Sequence, residues 1–190
     1  MNKPKFLTDL QRNSVEQKKM VAMLLESNEL PGDHWKVSGE SVFRPGHGRR
    51  RGGFSQFAGL AGAFTALRFF DQSSPRRWLW IQVYPYATEQ DAVDVIPTLP
   101  DRMIRNPRLS VIERTMIDNF VIRGVSAPLI FEESTTGPEG PGIGRNIAGN
   151  VDHVVFMISS FKFGEAWPWD EVTSVAESQA NKVRNVLAQN

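Results

Sequence analysis

The chain has 190 residues and a net charge of +1, which sets aside a protein that coats nucleic acid through its bulk charge. Its 41% hydrophobic and 23% charged residues suit a globular domain, not a disordered chain. It contains no cysteine, which excludes disulfides, thiolate catalysis and cysteine-held metal, and its three histidines (His34, His47, His153) are too far apart in sequence to suggest a metal site. No cofactor is expected.

The first residues, MNKPKFLTDLQRNSVEQ, lack the apolar core of a signal peptide, and no apolar run reaches the length of a membrane span. As written, the chain is expected in the cytoplasm, or outside the cell if a targeting segment has been removed. Its length suits one domain over 1–190, with flexible loops near 45–53 and 134–144.

Leu7, Leu10, Val21, Leu24 and Leu25 predict an N-terminal helix or a pair of them, with Ser14 and Gln17 spaced as a capping box and Leu30-Pro31-Gly32 as the stop. Trp35 to Arg44 reads as a strand, and the glycine-dense Pro45 to Gly53 as a loop. From Phe54 to Phe70 helical spacing competes with Gly59 and Gly62. A hairpin of 62–70 with 77–84 resolves that competition, because WLWIQVY (Trp78 to Tyr84) is a strand by composition.

Thr88 and Asp91 start a helix that Pro97 and Pro100 must kink or break. Leu109 to Met116, Phe120 to Val125 and Leu129 to Glu133 read as short strands with Asp118-Asn119 as a turn, followed by a loop over Ser134 to Gly144. Val151 to Phe163 reads as a long strand that is apolar on both faces, with Val151, Val155, Met157, Phe161 and Phe163 on one and Val154, Phe156 and Ile158 on the other. Such a strand lies inside a sheet covered on both sides. Val172, Val175, Ala176, Val183, Val186 and Leu187 recur at helical spacing after it, with Asp170 placed to cap the first turn. The expected order is α-β-β-β-α-β-β-β-α in one α/β domain.

Two constellations qualify as candidate sites. Trp78, Trp80 and Tyr84 share one strand face, with Leu79, Ile81 and Val83 on the other; the second face is core, and the first either lines an apolar cleft or is covered by a helix. Arg44, His47, Arg49, Arg50 and Arg51 lie among glycines, where guanidinium forks and free backbone N–H groups suit phosphate; the competing reading is a solvated loop. His153 stands beside Asp152, and strand alternation puts the two on opposite faces, against a simple dyad. Gly142-Ile143-Gly144 precedes a strand and lacks the dinucleotide spacing. No G-x-S-x-G, H-E-x-x-H or paired-carboxylate motif is present, so an enzyme would need residues from distant segments.

Four segments, LLESNELPGDHWKV, YATEQDAVDVIPTLP, RGVSAPLIFEES and GRNIAGNVDHVVFMISS, the last followed by a helix, together resemble actinobacterial sensor-like domains. These comprise the extracellular sensor domain of a mycobacterial serine/threonine kinase and related small lipoproteins. The resemblance implies an α/β (α+β) sandwich, an antiparallel-rich sheet with helices on one face, and a cleft for a ligand. The chain departs from those domains in having neither an export signal nor their stapling cysteines. The functional expectation is a non-enzymatic binding module for an apolar or amphipathic ligand or a protein partner. Phosphate or nucleic-acid binding through 44–53 is the alternative, and a site assembled from distant residues is the second; homo-oligomerisation is left open.

Overall fold

A computed structural model describes residues 15–43, 64–73, 77–102, 109–118 and 120–189. Among these, helix α1 (Val15–Ala22) precedes strands β1 (Trp35–Phe43), β2 (Phe64–Asp71) and β3 (Arg77–Pro85). Helix α2 (Glu89–Val95), a 3-10 turn (Ile96–Thr98) and the single-turn helix α3 (Leu99–Arg102) follow. The chain then forms β4 (Ser110–Met116), β5 (Ser126–Gly137), β6 (Gly140–Val151), β7 (Val154–Phe163) and helix α4 (Trp169–Ala188). The strands make one seven-stranded antiparallel sheet in the order β1-β2-β3-β7-β6-β5-β4, with β7 at its centre.

The expected hairpin before and after residues 74–76 is the β2–β3 pair, with Phe69 opposite Leu79 and Leu67 opposite Ile81. β7 is apolar on both faces, as its sequence requires. Val154, Phe156 and Ile158 join the core beneath α4, while Val155 and Met157 join a second core with Ala92, Val95, Ile96 and Leu99. Thr88 caps α2 by accepting a hydrogen bond from the Asp91 amide at 3.1 Å. Pro97 and Pro100 do break the helix, converting its continuation into the 3-10 turn and α3.

One row runs across the centre of the sheet. Ile81 faces Ile158, Ile158 faces Ile147 and Ile147 faces Ile130, on four successive strands. Helix α4 lies over this face and buries Val172, Val175, Ala176, Gln179, Ala180 and Val183, an i, i+3, i+4, i+7 stripe whose alanines allow close approach. Gln179 is the polar member of that stripe. Its amide donates to the Met23 carbonyl and accepts from the Leu25 amide at 3.2 Å, holding the end of the N-terminal segment against α4.

The structure departs from the sequence reading at five places. Residues 134–144 are not a flexible loop: they are the arms of the β5–β6 hairpin, with Gly137 paired to Gly140 and only Pro138-Glu139 between the strands. Among the glycines that suggested a loop, Gly142 is a site of close packing, since a Cβ there would lie 2.3 Å from the Phe161 ring, and Gly140 (φ 102°) makes the turn. β6 is thus a strand the sequence reading did not name, and it takes the place of Phe120 to Val125 among the four that follow the middle helices, one more than in the expected order. Phe120 to Val125 is not a strand; it is a connection tied to α4, where the Arg123 amide donates to Glu177 and Arg184 donates to the Gly124 carbonyl. The long strand begins at Val154, because Asp152 (φ 55°) and His153 form a two-residue hairpin turn, and this returns Val151 to the face of Val154. Finally, Asp170 does not cap α4: the N-cap is Pro168, which offers no side-chain bond, and Asp170 lies inside the first turn, where its charge suits the helix dipole. The expected capping box at Ser14 and the loop at 45–53 lie outside the described residues.

Outer strands β1 and β4 each carry an extra residue relative to their neighbours, Ser38 in β1 and Ile112 in β4.

Two substitutions test this packing. Val183→Asp places an unpaired carboxylate at a fully buried position and is expected to cost several kcal/mol or to abolish folding, read by chemical denaturation (~3 kcal/mol or more). Gln179→Leu keeps the volume but orphans the Met23 carbonyl and Leu25 amide, and should lower stability by about 1–3 kcal/mol. A Val183→Asp melting curve matching the wild type would show that α4 buries a different face.

Candidate ligand-binding face

Strand alternation puts Trp78, Trp80, Gln82 and Tyr84 on the sheet face opposite α4, and Leu79, Ile81 and Val83 on the α4 side, each of the latter three fully buried. On the opposite face the segment from Ala92 to Leu99 covers one end, packing on Tyr84, Ala148, Val155 and Met157. Next to that covered end lies a polar belt. Trp80 stands opposite Ser159 and Ser159 opposite Asn146, while Gln82 stands opposite Met157. At the far end Trp78 packs 5.5 Å from both Phe161 and Phe163, which meet each other edge-on at 5.1 Å. Strand β6 contributes only small side chains between these groups, Gly142, Gly144, Asn146 and Ala148, so its relief is low beside the aromatic side chains of β7 and β3.

The three aromatic candidates have different roles within this face. Tyr84 is buried beneath the helical segment, and its hydroxyl donates to Gln82 Oε1. Burial raises the phenol well above its ordinary value and the neighbouring Tyr86 adds to the effect, so the donor keeps its proton. Trp78 is part of the aromatic group. Trp80 is half-buried beside the polar belt. Arg44, His47, Arg49, Arg50 and Arg51 lie outside the described residues.

Gln82, Asn146 and Ser159 were not singled out by sequence, although one polar residue inside WLWIQVY, in phase with both tryptophans, is a usable signal. Gln82 is 0% exposed, and its Nε2 has no hydrogen-bond partner among the described residues; the same holds for Ser159 Oγ. An unmade bond of this kind costs about 1–3 kcal/mol. Further along the face Glu133 is fixed by Arg114, whose Nε donates to it at 2.9 Å while Nη1 reaches Asp101 at 2.8 Å and Nη2 the Pro100 carbonyl at 2.8 Å. Burial acts to lower the Arg114 pKa, but the bonds to Asp101 and Glu133 outweigh it and hold the guanidinium charged.

The remaining titratable groups converge elsewhere. Asp152 and His153 meet at the β6–β7 turn, Oδ1 to Nδ1 at 3.3 Å, because a turn and not a strand places them; both are substantially exposed. A second cluster sits at the edge of the α4 face. Asp71, 1% exposed, accepts from the Ser73 amide at 2.8 Å and from the Ser73 hydroxyl at 2.6 Å. It also lies 3.5 Å from His34 Nε2 and 3.4 Å from Arg77, and Arg77 bridges on to Glu171. The Arg77 guanidinium stacks 3.5 Å over Trp167, which packs on Trp35 at 5.1 Å. Although His, Asp and Ser meet here, Ser73 bonds to the carboxylate and not to the imidazole, so the arrangement is a braced turn and not a nucleophile relay. Among the described residues no three His, Asp or Glu side chains could hold a metal ion, and no helix is long and apolar enough to cross a membrane.

No protein family matches the chain, and no curated protein does so by sequence. Among solved structures it matches the extracellular domain of PknH from Mycobacterium tuberculosis with a TM-score of 0.61 at 13% identity, over 88% of this chain and 96% of that one. The fold is that of the PknH extracellular domain. A protein from Mycobacterium smegmatis, the Rv0999 ortholog, aligns over 81% of this chain and 91% of its own at 9% identity, with a TM-score of 0.46. The PknH likeness bears out the resemblance to actinobacterial sensor-like domains and the α+β class: a seven-stranded antiparallel sheet packed by helices.

The Asp71 cluster makes a pH prediction. Burial acts to raise the Asp71 pKa, but the two Ser73 bonds and the charges of His34 and Arg77 outweigh it and hold the value below that of an ordinary carboxylate. A carboxyl depressed by folding stabilises the protein above its unfolded value and loses that contribution as pH falls through the folded one. Wild type should therefore lose stability below about pH 4 more steeply than Asp71→Asn, measured by denaturant unfolding at stepped pH. Parallel acid limbs would remove Asp71 from the account.

Proposed function

We propose that this chain is a non-enzymatic binding module of the sensor type, folded as one domain, which takes an apolar or amphipathic molecule on the sheet face opposite α4. The observation that carries this reading is the composition of that face. Half-buried aromatic rings at Trp78, Trp80, Phe161 and Phe163 adjoin a belt of polar side chains across a low-relief strand. Aromatic area provides apolar contact, and a few fixed polar groups orient what lies there. Tyr84 gives Gln82 Oε1 a structural use, but Gln82 Nε2 and the Ser159 hydroxyl at the centre of the face have none among the described residues. Among the described residues no histidine lies on this face, and its acid Glu133 is committed to Arg114, so the face offers contact and orientation more readily than proton transfer. The extracellular domain of PknH, whose fold this chain shares, supports a sensing role by analogy of architecture alone.

Native mass spectrometry of freshly purified protein tests the proposal. A retained small molecule, lost in Trp80→Ala with the fold intact by circular dichroism, is the expected outcome. Retention that is indifferent to Trp80, Trp78 and Phe161 substitutions would place the ligand elsewhere. Absence of any small molecule, together with capture of a protein partner on a surface that spares these residues, would replace the ligand by a partner.

A further inference from the structure

Resting on that binding reading, we infer that the face holds its ligand through an acceptor oxygen, a carbonyl or carboxylate that receives the Gln82 amide N–H and the Ser159 hydroxyl. The orientation of Gln82 is fixed by Tyr84. The buried phenol keeps its proton and donates to Oε1, which leaves Nε2 as the end of the amide that no described group uses. Because Gln82 pairs with Met157 and Trp80 with Ser159, Gln82 and Ser159 are diagonal neighbours on one face of adjacent strands, within reach of a single bound group.

Several buried polar groups on the sheet and helices spend their hydrogen bonds within the protein. Ser160, one residue on and on the α4 side, spends its hydroxyl on the Arg145 carbonyl at 2.9 Å. Thr135 bonds the Gly142 carbonyl at 3.2 Å, and Gln179 uses both ends of its amide. Gln82 and Ser159 together present donor hydrogens, so a partner that only donates cannot satisfy Gln82. An oxygen acceptor satisfies both, and an apolar body attached to it would extend along Trp80 toward the Trp78–Phe161–Phe163 group. The competing occupant of the same position is a buried water.

The test uses the full chain with decanoate, methyl decanoate and decane as probes, followed by tryptophan fluorescence and calorimetry in the wild type, Ser159→Ala and Gln82→Leu. Ser159→Ala removes no hydrogen bond made by the described residues and should melt with the wild type, which keeps the test valid if Gln82→Leu, which removes the bond from Tyr84 to Gln82, fails to fold. One or both oxygen-bearing probes are expected to bind and to weaken about tenfold in each folded variant, as loss of one hydrogen bond implies, with decane unaffected. Binding of decanoate alone assigns a carboxylate, and binding of both assigns a carbonyl; either supports the inference. Equal binding of all three probes, insensitive to both substitutions but sensitive to Trp80→Ala, overturns the acceptor pairing and leaves the binding face standing. Failure of both oxygen-bearing probes to bind, or a water on Gln82 Nε2 that persists in crystals grown with decanoate, also overturns it. The binding face itself falls only on the mass-spectrometric result described above.

Discussion

The row Ile81–Ile158–Ile147–Ile130 is the constraint on which the rest depends. Each member is β-branched, almost fully buried and directly opposite the next, so the row both pins the register of four strands and provides the floor for α4. A slip of one residue along any of these strands would turn its isoleucine to the opposite face and bring a polar or aromatic side chain under the helix. The composition of the face opposite α4 is therefore a consequence of the apolar one. Trp80, Gln82, Asn146 and Ser159 lie together because their sequence neighbours cannot be anywhere but beneath α4.

Polar ties complete what the apolar row begins. The N-terminal segment contributes Met20, Met23, Leu24 and Leu25 to the core, but it is Gln179 that satisfies the backbone groups left where α1 ends. On the other side of α4, Arg145 donates to the Trp167 carbonyl and to Glu132 while lying over Trp169, and so fixes where the chain leaves β7 and turns into the helix. In each case a long polar side chain reaches from regular structure to a segment with few hydrogen bonds of its own, which is where burial alone would leave backbone unpaired.

Much of this was readable because the strongest patterns are also the most buried. WLWIQVY and VVFMISS are such plain strands by composition that the two-residue period of a strand assigned their two faces from sequence, and the α4 stripe shows at helical spacing. The failures have a shared cause. Glycine and proline signal loops when chain entropy is the only consideration, yet Gly142 lies in a strand because Phe161 needs the space of a missing side chain. Likewise Asp152 and His153 carry no strong turn signature. Only the pairing of Val151 with Val154 shows that the chain reverses there, and that single misplaced reversal exchanged the face of Val151 and separated a histidine from its acid. Gln82 was visible as one polar letter in an apolar run. What was not visible was that Tyr84 would take one end of its amide and leave the other, because this depends on a covering helix that buries the phenol. Sequence spacing identifies neighbours along a strand, whereas the site is made by neighbours across strands.

The extra residues in β1 and β4 bear on how copies of the domain behave toward one another. Among the described residues no further strand pairs with β1 or β4, and β4 shows Ile112 to solvent at 68% exposure. A straight unpaired margin is a template for lateral growth into fibres. Ser38 and Ile112 interrupt the even spacing of backbone donors and acceptors along these strands, and bulges of this kind bend a strand and make it a poorer template for a second sheet. Irregularities that make outer strands poorer ladders are one way in which a wide sheet is kept from growing edge to edge.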